Sequence, residues 1–337
     1  MSVSIKDISK HVGLSVSTVS KALNGYSDIA AETRETVLKA TEKLGYHPNT
    51  TARNLRRQRS EKIGVVYPAH AFESEIMMGF FRGVVLAAEE HGYNLTLYTA
   101  PAADSEALRQ ICRSREVDGM ILIGTSLAGV LQASIKLLQG EKTPFVVLGH
   151  PVSTKKVPFI ASDNEAGVQS LMKHFLQQGH KRIAYLARSD DSENNAARFN
   201  AYKQSLKKAK IPFRAEYVVE APFTPYSGIA AMKKLLEHPK PPTAVVAFND
   251  HVAIDACRAA LERGLKIPED IAVAGYGNIP SSLITTPTVT TVAVPLREMG
   301  ETAFATLLKM IETGKAPASK IFSTKLVVRA STLEATY

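Results

Sequence analysis

The first 46 positions repeat apolar residues at helical spacing in short bursts separated by glycine. Ile5, Ile8 and Val12 lie on one stripe, with Ser4 and Asp7 spaced as a capping box ahead of it and Gly13 closing it. The chain restarts at once. Ser15 is placed to cap a second helix whose stripe is Val19, Ala22 and Leu23 and which stops near Gly25. A third helix is predicted from Ala31 to Leu44, with Val37, Leu38, Thr41 and Leu44 as its packed face, and Gly45-Tyr46-His47-Pro48 ends it. Helices this short can bury their stripes only on one another, so a small bundle follows. Its first two members, joined by a glycine turn, read as a helix-turn-helix. Asn49 is placed to cap one more short helix, Thr50 to Arg57, in which Ala52 and Leu55 form a small apolar face beside Arg53, Arg56 and Arg57. Alone in water such a segment is marginal, so it is expected to order only against DNA and a second copy of the chain.

After Glu61 the period changes to short continuous apolar runs alternating with helical stretches. The runs are KIGVVYP, NLTLYT, DGMILIG, PFVVLG, RIAYLA, TAVVAF and DIAVAGYG, and the helices include Phe80 to His91, Glu165 to Gln178 and Val252 to Arg263. Apolar runs bounded by helices are the pattern of parallel strands buried on both faces. The predicted class is therefore α/β and doubly wound, and such sheets take ligands in a crevice at the carboxyl ends of their strands.

Composition narrows the options. The chain has 337 residues, 45% hydrophobic and 22% charged, which is an ordinary globular balance and argues against long disorder. Its net charge of +9 is unevenly placed. Residues 1–60 hold ten Lys and Arg against five Asp and Glu, so a basic head suits a polyanion partner. Cys112 and Cys257 lie far apart in apolar helical patterns and read as two free, buried thiols, as expected in a reducing cytoplasm. The opening MSVSIKDISKHVG has no apolar run after its charges, and no stretch approaches the length of a membrane span, so a cytoplasmic protein with no membrane partner is expected.

A helix-turn-helix reads DNA by laying its second helix in the major groove, where residues near that helix's N-terminus meet base edges. On this geometry Val16, Ser17, Ser20 and Lys21 face outward while Val19 and Leu23 face inward. An exposed Val16 can meet a thymine methyl; the alternative is that it packs inward. Lys21 can meet a phosphate or a guanine, and only the second carries sequence information.

Catalytic motifs are not evident in the larger part. The first βα turn, Tyr67 to Glu75, contains no glycine and so is no dinucleotide or P-loop cradle. GTSLAG at Gly124 lacks the Lys-Ser/Thr of a P-loop and the spacing of a nucleophile elbow. Metal-binding patterns are missing too, and His70, His150 and His180 are scattered, each more readily a polar loop residue than a ligand contact. Neither an enzyme nor a metal or cofactor is expected. A solute-binding protein shares the α/β pattern but has no use for a basic helix-turn-helix.

The segments IKDISKHVGLSVSTVSKALNG and ETRETVLKATEKLGYHPNTTARNLR resemble the head of the lactose-repressor (LacI/GalR) family of bacterial transcription regulators, and the similarity continues along the chain. The resemblance implies a helix-turn-helix head at 1–46, a hinge helix and linker at 47–60, and a periplasmic-binding-protein-like body at 61–337. The body would have an N-lobe at about 61–161 and 293–323 and a C-lobe at about 162–292 and 324–337, with chain crossings near Ala161, Val292 and Thr324. It further implies DNA contacts from Ile5, Ser15, Val16, Ser17, Thr18, Ser20, Lys21 and Asn24 in the head and from Asn49, Ala52, Arg53, Leu55 and Arg56 in the hinge. Leu55 matches the leucine that two paired hinge helices insert between base steps in the minor groove, kinking the duplex.

One departure lies at Ala30, where relatives often carry a capping serine. The effector cleft implied by the resemblance is formed by His70, Ile76, Met77, His150, Asp163, Asn194, Arg198, Phe223, Asn249, Asp250 and Asn278. Arg198 is a fixed cation suited to a hydroxyl pair or a carboxylate, and Phe223 either stacks on a sugar face or packs in the core. Many relatives carry an aspartate where this chain has Gly277. Without that carboxylate a repulsion against anions is gone, so a sugar acid or other anion is the expected effector, with Arg198 and His70 or His150 as its partners. The apolar run KLVVRASTL is followed by no heptad segment, so a homodimer is expected, its symmetry matching a pseudo-palindromic double-stranded operator. The expected function is thus transcription control, most often repression in this family, switched by a small molecule between the lobes.

Overall fold

The computed structural model describes residues 3–46, 59–68, 74–100, 105–124, 128–154, 156–188, 192–222 and 224–333. The chain divides into two compact units, Met1–Ser60 and Glu61–Tyr337.

The first unit holds α1 (Ile5–Val12), α2 (Val16–Leu23) and α3 (Ala31–Lys43). Each begins where local chemistry satisfies the free amides of a helix start. At α1 the capping box is complete: Asp7 Oδ2 accepts from the Ser4 amide at 2.9 Å and from Ser4 Oγ at 2.7 Å. At α2 Ser15 Oγ accepts from the Thr18 amide at 3.0 Å. At α3 the cap position is Ala30, with no side-chain bond, the omission expected from its sequence. Gly13 takes the left-handed conformation (φ 66°) that lets α1 stop and the chain turn into α2. Ile8, Val19, Ala22, Val37 and Ala40 form the shared core, with Leu23 and Leu44 packed against it. Leu38 corrects the expected packed face. It is half exposed at 50%, because the α3 stripe runs through Val37 and Ala40 and leaves position 38 on the outer side.

The second unit contains β1 (Lys62–Pro68), α4 (Glu75–Glu90), β2 (Asn94–Ala100), α5 (Ser105–Ser114), β3 (Gly119–Ile123), α6 (Ala128–Glu141), β4 (Phe145–Leu148) and β5 (Phe159–Ser162). It continues with α7 (Asn164–Gln177), β6 (Ile183–Arg188), α8 (Glu193–Lys208), β7 (Val218–Ala221), α9 (Ser227–Leu236), β8 (Ala244–Ala247), α10 (Asp250–Glu262) and β9 (Ala272–Gly277). The last elements are α11 (Ser281–Ile284), β10 (Thr290–Ala293), α12 (Leu296–Thr313), β11 (Lys320–Phe322) and β12 (Lys325–Val327). Two six-stranded sheets result, ordered β11-β5-β4-β3-β1-β2 and β12-β10-β9-β8-β6-β7. The chain passes from one sheet to the other after β5, after β10 and after β11, and so builds two lobes. Pairing is parallel throughout except between β10 and β12.

Continuous burial explains why the central strands were legible: every residue of β3, β4, β8 and β9 is buried, as expected for strands covered by helices on both faces. β5, β7, β10, β11 and β12 were not among the runs read as strands. They are short, β2, β7, β11 and β12 close sheet edges, and β10 carries buried Thr290 and Thr291, whose hydroxyls are bonded inside the lobe. Helix α4 starts at Glu75, five residues before the expected Phe80. It crosses α12 at Gly83 and Gly300, where a Cβ on either would collide with the backbone of the other helix. Cys257 is buried and Cys112 half-buried, both free thiols. Among the described residues no helix is long and apolar enough to cross a membrane.

Candidate functional site

Two surfaces concentrate the candidate residues, one on each unit. On the head, α2 presents Val16 (38% exposed), Ser17 and Lys21 outward while Val19 is fully buried, so Val16 does not pack inward. Ser20 is half-buried, and Asn24 is exposed with Nδ2 donating to the Ser20 carbonyl at 2.7 Å. Lys21 Nζ is held at 2.5 Å from Asp28, which raises its pKa. To reach a phosphate or a base it must exchange that exposed partner, a small cost at the surface. Ser15 and Thr18 are engaged with each other at 2.8 Å around the helix start, and Ile5 packs against the core of the head. Asn49, Ala52, Arg53, Leu55 and Arg56 lie outside the described residues.

The second surface is a cavity between the two lobes, about 870 Å³ including the part open to solvent. Of the residues that the resemblance implies for an effector cleft, Ile76, Met77, His150, Asn194, Arg198 and Asn249 line this cavity. Its most constrained member is Arg198. The side chain is buried, Nε donates to Asn164 Oδ1 at 2.7 Å, Nη1 donates to the Phe248 carbonyl at 2.8 Å, and the guanidinium carbon stands 3.7 Å from the Tyr276 ring centroid and 4.6 Å from that of Phe248. Burial lowers its pKa. Among the described residues it makes no ion pair, and none of those lining the cavity is an aspartate or a glutamate. The Asp250 charge acts on it from beneath without an ion pair, and a buried cation held chiefly by neutral dipoles and aromatic faces keeps attraction for an anion.

Hydrogen bonds run from Arg198 across the cleft. Asn164 Nδ2 donates to Asn194 Oδ1 at 2.9 Å, and Asn194 Nδ2 donates to the Gly149 carbonyl at 2.9 Å on the other lobe, with His150 Nε2 at 3.4 Å. Burial, then the charges of Arg198 and Arg188, push the His150 pKa down to about 4. The imidazole therefore stays neutral near pH 7. A second cross-lobe contact lies at the start of α4, where the Glu75 carboxylate accepts from the Ser281 amide at 3.1 Å and from Ser281 Oγ at 2.5 Å, with His251 Nε2 at 3.9 Å.

Three expected cleft residues are placed elsewhere. Asp163 caps α7, its Oδ1 accepting from the Ala166 amide at 2.9 Å. Asp250 is fully buried beneath the cavity, accepting from Thr291 Oγ1 at 2.5 Å and from the Ile279 amide at 2.9 Å, and burial raises its pKa. Asn278 has a left-handed backbone (φ 56°) and turns its Oδ1 to Arg329 Nη2 at 2.5 Å. Its neighbour Gly277 has φ 130°, where any side chain is strained, and a Cβ there would stand 3.1 Å from Ile76 Cδ1 and 3.6 Å from Asp250 Oδ2. His70 and Phe223 lie outside the described residues. His180 is a half-buried structural residue, its Nδ1 3.0 Å from Thr243 Oγ1.

Sequence reading missed Arg188, Phe248 and Tyr276, which also line the cavity. All three sit at or just beyond the carboxyl ends of strands β6, β8 and β9, the position where parallel sheets take ligands, and that rule was the available signal. Among the described residues no cluster of three metal-ligating side chains occurs.

Comparison with known proteins matches residues 4–49 to a model described as bacterial regulatory proteins of the lacI family, and residues 172–332 to a periplasmic binding protein-like domain. The chain is 32% identical to the probable HTH-type transcriptional repressor ExuR of Bacillus subtilis, covering 98% of each chain. It is 31% identical to the HTH-type transcriptional repressor CytR of Escherichia coli, over 97% of this chain and 96% of that one. Among solved structures it resembles the Lac repressor dimer bound to operator and the anti-inducer ONPF, with TM-score 0.88 and 26% identity over 99% of this chain and all of that one.

Proposed function

The chain belongs to the lacI family of bacterial regulatory proteins, and from that premise we propose that it is an operator-binding transcriptional repressor whose DNA affinity is set by a sugar or sugar acid held between its lobes. The observation that carries the reading is Arg198, a buried cation without an ion-pair partner among the described residues, facing a cavity between lobes in a chain that also carries a helix-turn-helix. The Lac repressor relative was solved as a dimer on its operator with a small molecule bound. A homodimer of this chain gives each head one half-site of a pseudo-palindromic duplex. Exposed Met78, Val85 and Leu86 on α4, with Leu283 and Ile284 at α11, supply apolar surface for the pairing. On this reading the chain works in the cytoplasm as a regulator and not as an enzyme, in keeping with relatives named as repressors.

Control follows from linkage. The cross-lobe bonds at Asn194 and Glu75 exist only while the lobes are close, so a ligand that binds one lobe arrangement better than the other shifts their balance by its differential affinity. The test is operator binding by fluorescence anisotropy, with and without each member of a panel of neutral sugars and sugar acids. The expected result is that one class changes operator affinity at least fivefold, and that affinity falls by orders of magnitude between about 50 and 200 mM salt. Binding to duplexes of any sequence alike, indifferent to salt and to the whole panel, would overturn the proposal.

A further inference from the structure

We infer that Arg188 and Arg198 together form a carboxylate reader, and that the effector is therefore a sugar bearing a carboxylate group, with Arg188 as the residue that sets this specificity. The inference rests on the effector-controlled reading above and deepens it. Arg188 closes β6, a strand whose other residues are all buried, and its backbone carbonyl is pinned by Asn195 Nδ2 at 2.7 Å. Its side chain lines the same cavity as Arg198. Both guanidinium groups approach one ring, Phe248, at 5.6 Å for Arg188 and 4.6 Å for Arg198. Both also act on His150, whose pKa is depressed by the two charges in addition to burial. Two cations, a neutral imidazole and the Asn194 and Asn249 side chains thus converge on one space that no described carboxylate lines.

The chemistry of the donors favours a carboxylate over a phosphate. A phosphate is best held by the free amides of a helix N-terminus or a glycine-rich loop. In each of the three helices of this lobe that begin near the cavity a capping side chain takes up one of those amides. Asp163 caps α7, Ser192 accepts from the Asn195 amide at 3.3 Å to cap α8, and Asn249 accepts from the Val252 amide at 2.9 Å to cap α10. Helix α4 of the other lobe starts at the cavity without a side-chain cap, but the Glu75 carboxylate in its first turn opposes an anion there. The cations on offer are planar guanidinium groups, and Arg198 is flanked by two rings and anchored through Nε and Nη1, so it is held in one orientation. A planar, pre-oriented fork matches the two in-plane oxygens of a carboxylate. The polar amides and the apolar wall of Phe80 and Leu148 are left for the hydroxyls and the faces of a sugar ring.

The test is calorimetric titration of the full-length protein with glucuronate and galacturonate, with glucose and galactose as their neutral counterparts, and with glucose 6-phosphate. Wild type, Arg188→Gln and Arg188→Lys are compared, with thermal unfolding as the check that each variant is folded. The inference expects one of the acids to bind wild type at least tenfold more tightly than its neutral counterpart and than the phosphosugar. Arg188→Gln should lose tenfold or more of the acid affinity and so bring the ratio of acid to neutral-sugar affinity close to one. Arg188→Lys should recover only part of the loss, because an ammonium keeps the charge without the planar fork. An acid that binds Arg188→Gln as tightly as wild type removes Arg188 from the reader and leaves the effector reading standing. Tighter binding of the phosphosugar or of the neutral sugars, or no binding of either acid to wild type, overturns the carboxylate assignment. The regulator reading stands or falls separately, on operator binding and its salt dependence.

Discussion

Replacing His150 by glutamine tests how the cavity treats charge. Glutamine keeps a hydrogen-bonding group beside Asn194 but cannot titrate. In the folded protein the His150 pKa lies at about 4, against an ordinary value of 6.5, because the ring is buried and faces Arg198 and Arg188. Above pH 6.5 the group is neutral in both folded and unfolded chains and has no effect on their balance. Below it the unfolded chain takes up a proton that the folded chain refuses. Stability is therefore present above the unfolded pKa and is lost as the pH falls towards the folded one. At 1.36 kcal/mol per pKa unit the full loss is about 3 kcal/mol, of which about 2 kcal/mol falls between pH 6.5 and 5. The assay is urea unfolding of the full-length protein at steps from pH 7.5 to 5, followed by circular dichroism. The stability difference between wild type and His150→Gln should move by about 2 kcal/mol in favour of the variant over that range. Comparing the two chains cancels the other groups, including His174 and His180, whose pKa values burial also lowers. A difference that stays constant with pH would mean that His150 is not shielded from water between the lobes, and the argument from two converging arginines would lose one of its supports.

Other perturbations probe the remaining links. Glu75→Ala removes the two hydrogen bonds from Ser281 that tie α4 to α11 across the cleft; at about 1.5–3 kcal/mol for a bond to a charged group, the lobes should open enough to enlarge the radius of gyration in solution scattering, and an unchanged radius would show that the clasp does not hold them. Ser15→Ala takes away the α2 cap and should cost about 1 kcal/mol, read as roughly fivefold faster amide exchange in α2 of the full-length protein; exchange at the wild-type rate would refute the capping role. Val16→Ser should alter stability by less than about 0.5 kcal/mol, because the side chain is already partly exposed. It should nonetheless weaken the preference for thymine at one operator position in a selection from random duplexes, and an unchanged base preference would take Val16 out of the contact surface.

The head was legible because its signals are local. Capping residues, glycine stops and a helical stripe lie within a few positions of one another, and the short helices have no other way to bury Ile8, Val19 and Val37 than against each other. Leu38 shows the limit, since of the adjacent Val37 and Leu38 only the packing of α3 on its neighbours selects Val37 for the core. Strands buried on both faces were equally plain in DGMILIG and PFVVLG, where apolar residues run without interruption. Edge strands such as β11, with Lys320 and Ile321 exposed, carry no such pattern.

Within the cleft the sequence by itself determined the kinds of group present, including the retained arginine at 198 and the missing side chain at 277. Which of them share a space was decided by tertiary structure. Asn249 and Asp250 are adjacent in sequence, yet one lines the cavity and the other is buried beneath it, bonded to Thr291 from β10. Arg188 and Arg198 end on one phenylalanine only because β6, α8 and the segment after β8 converge at the carboxyl edge of one sheet. Glu75 meets Ser281 across 206 residues of chain. Propensity and hydrophobic period act over a few residues, so they specify elements. The direction of a side chain at the end of an element depends on what packs against it, and that is known only once the two lobes have folded and met.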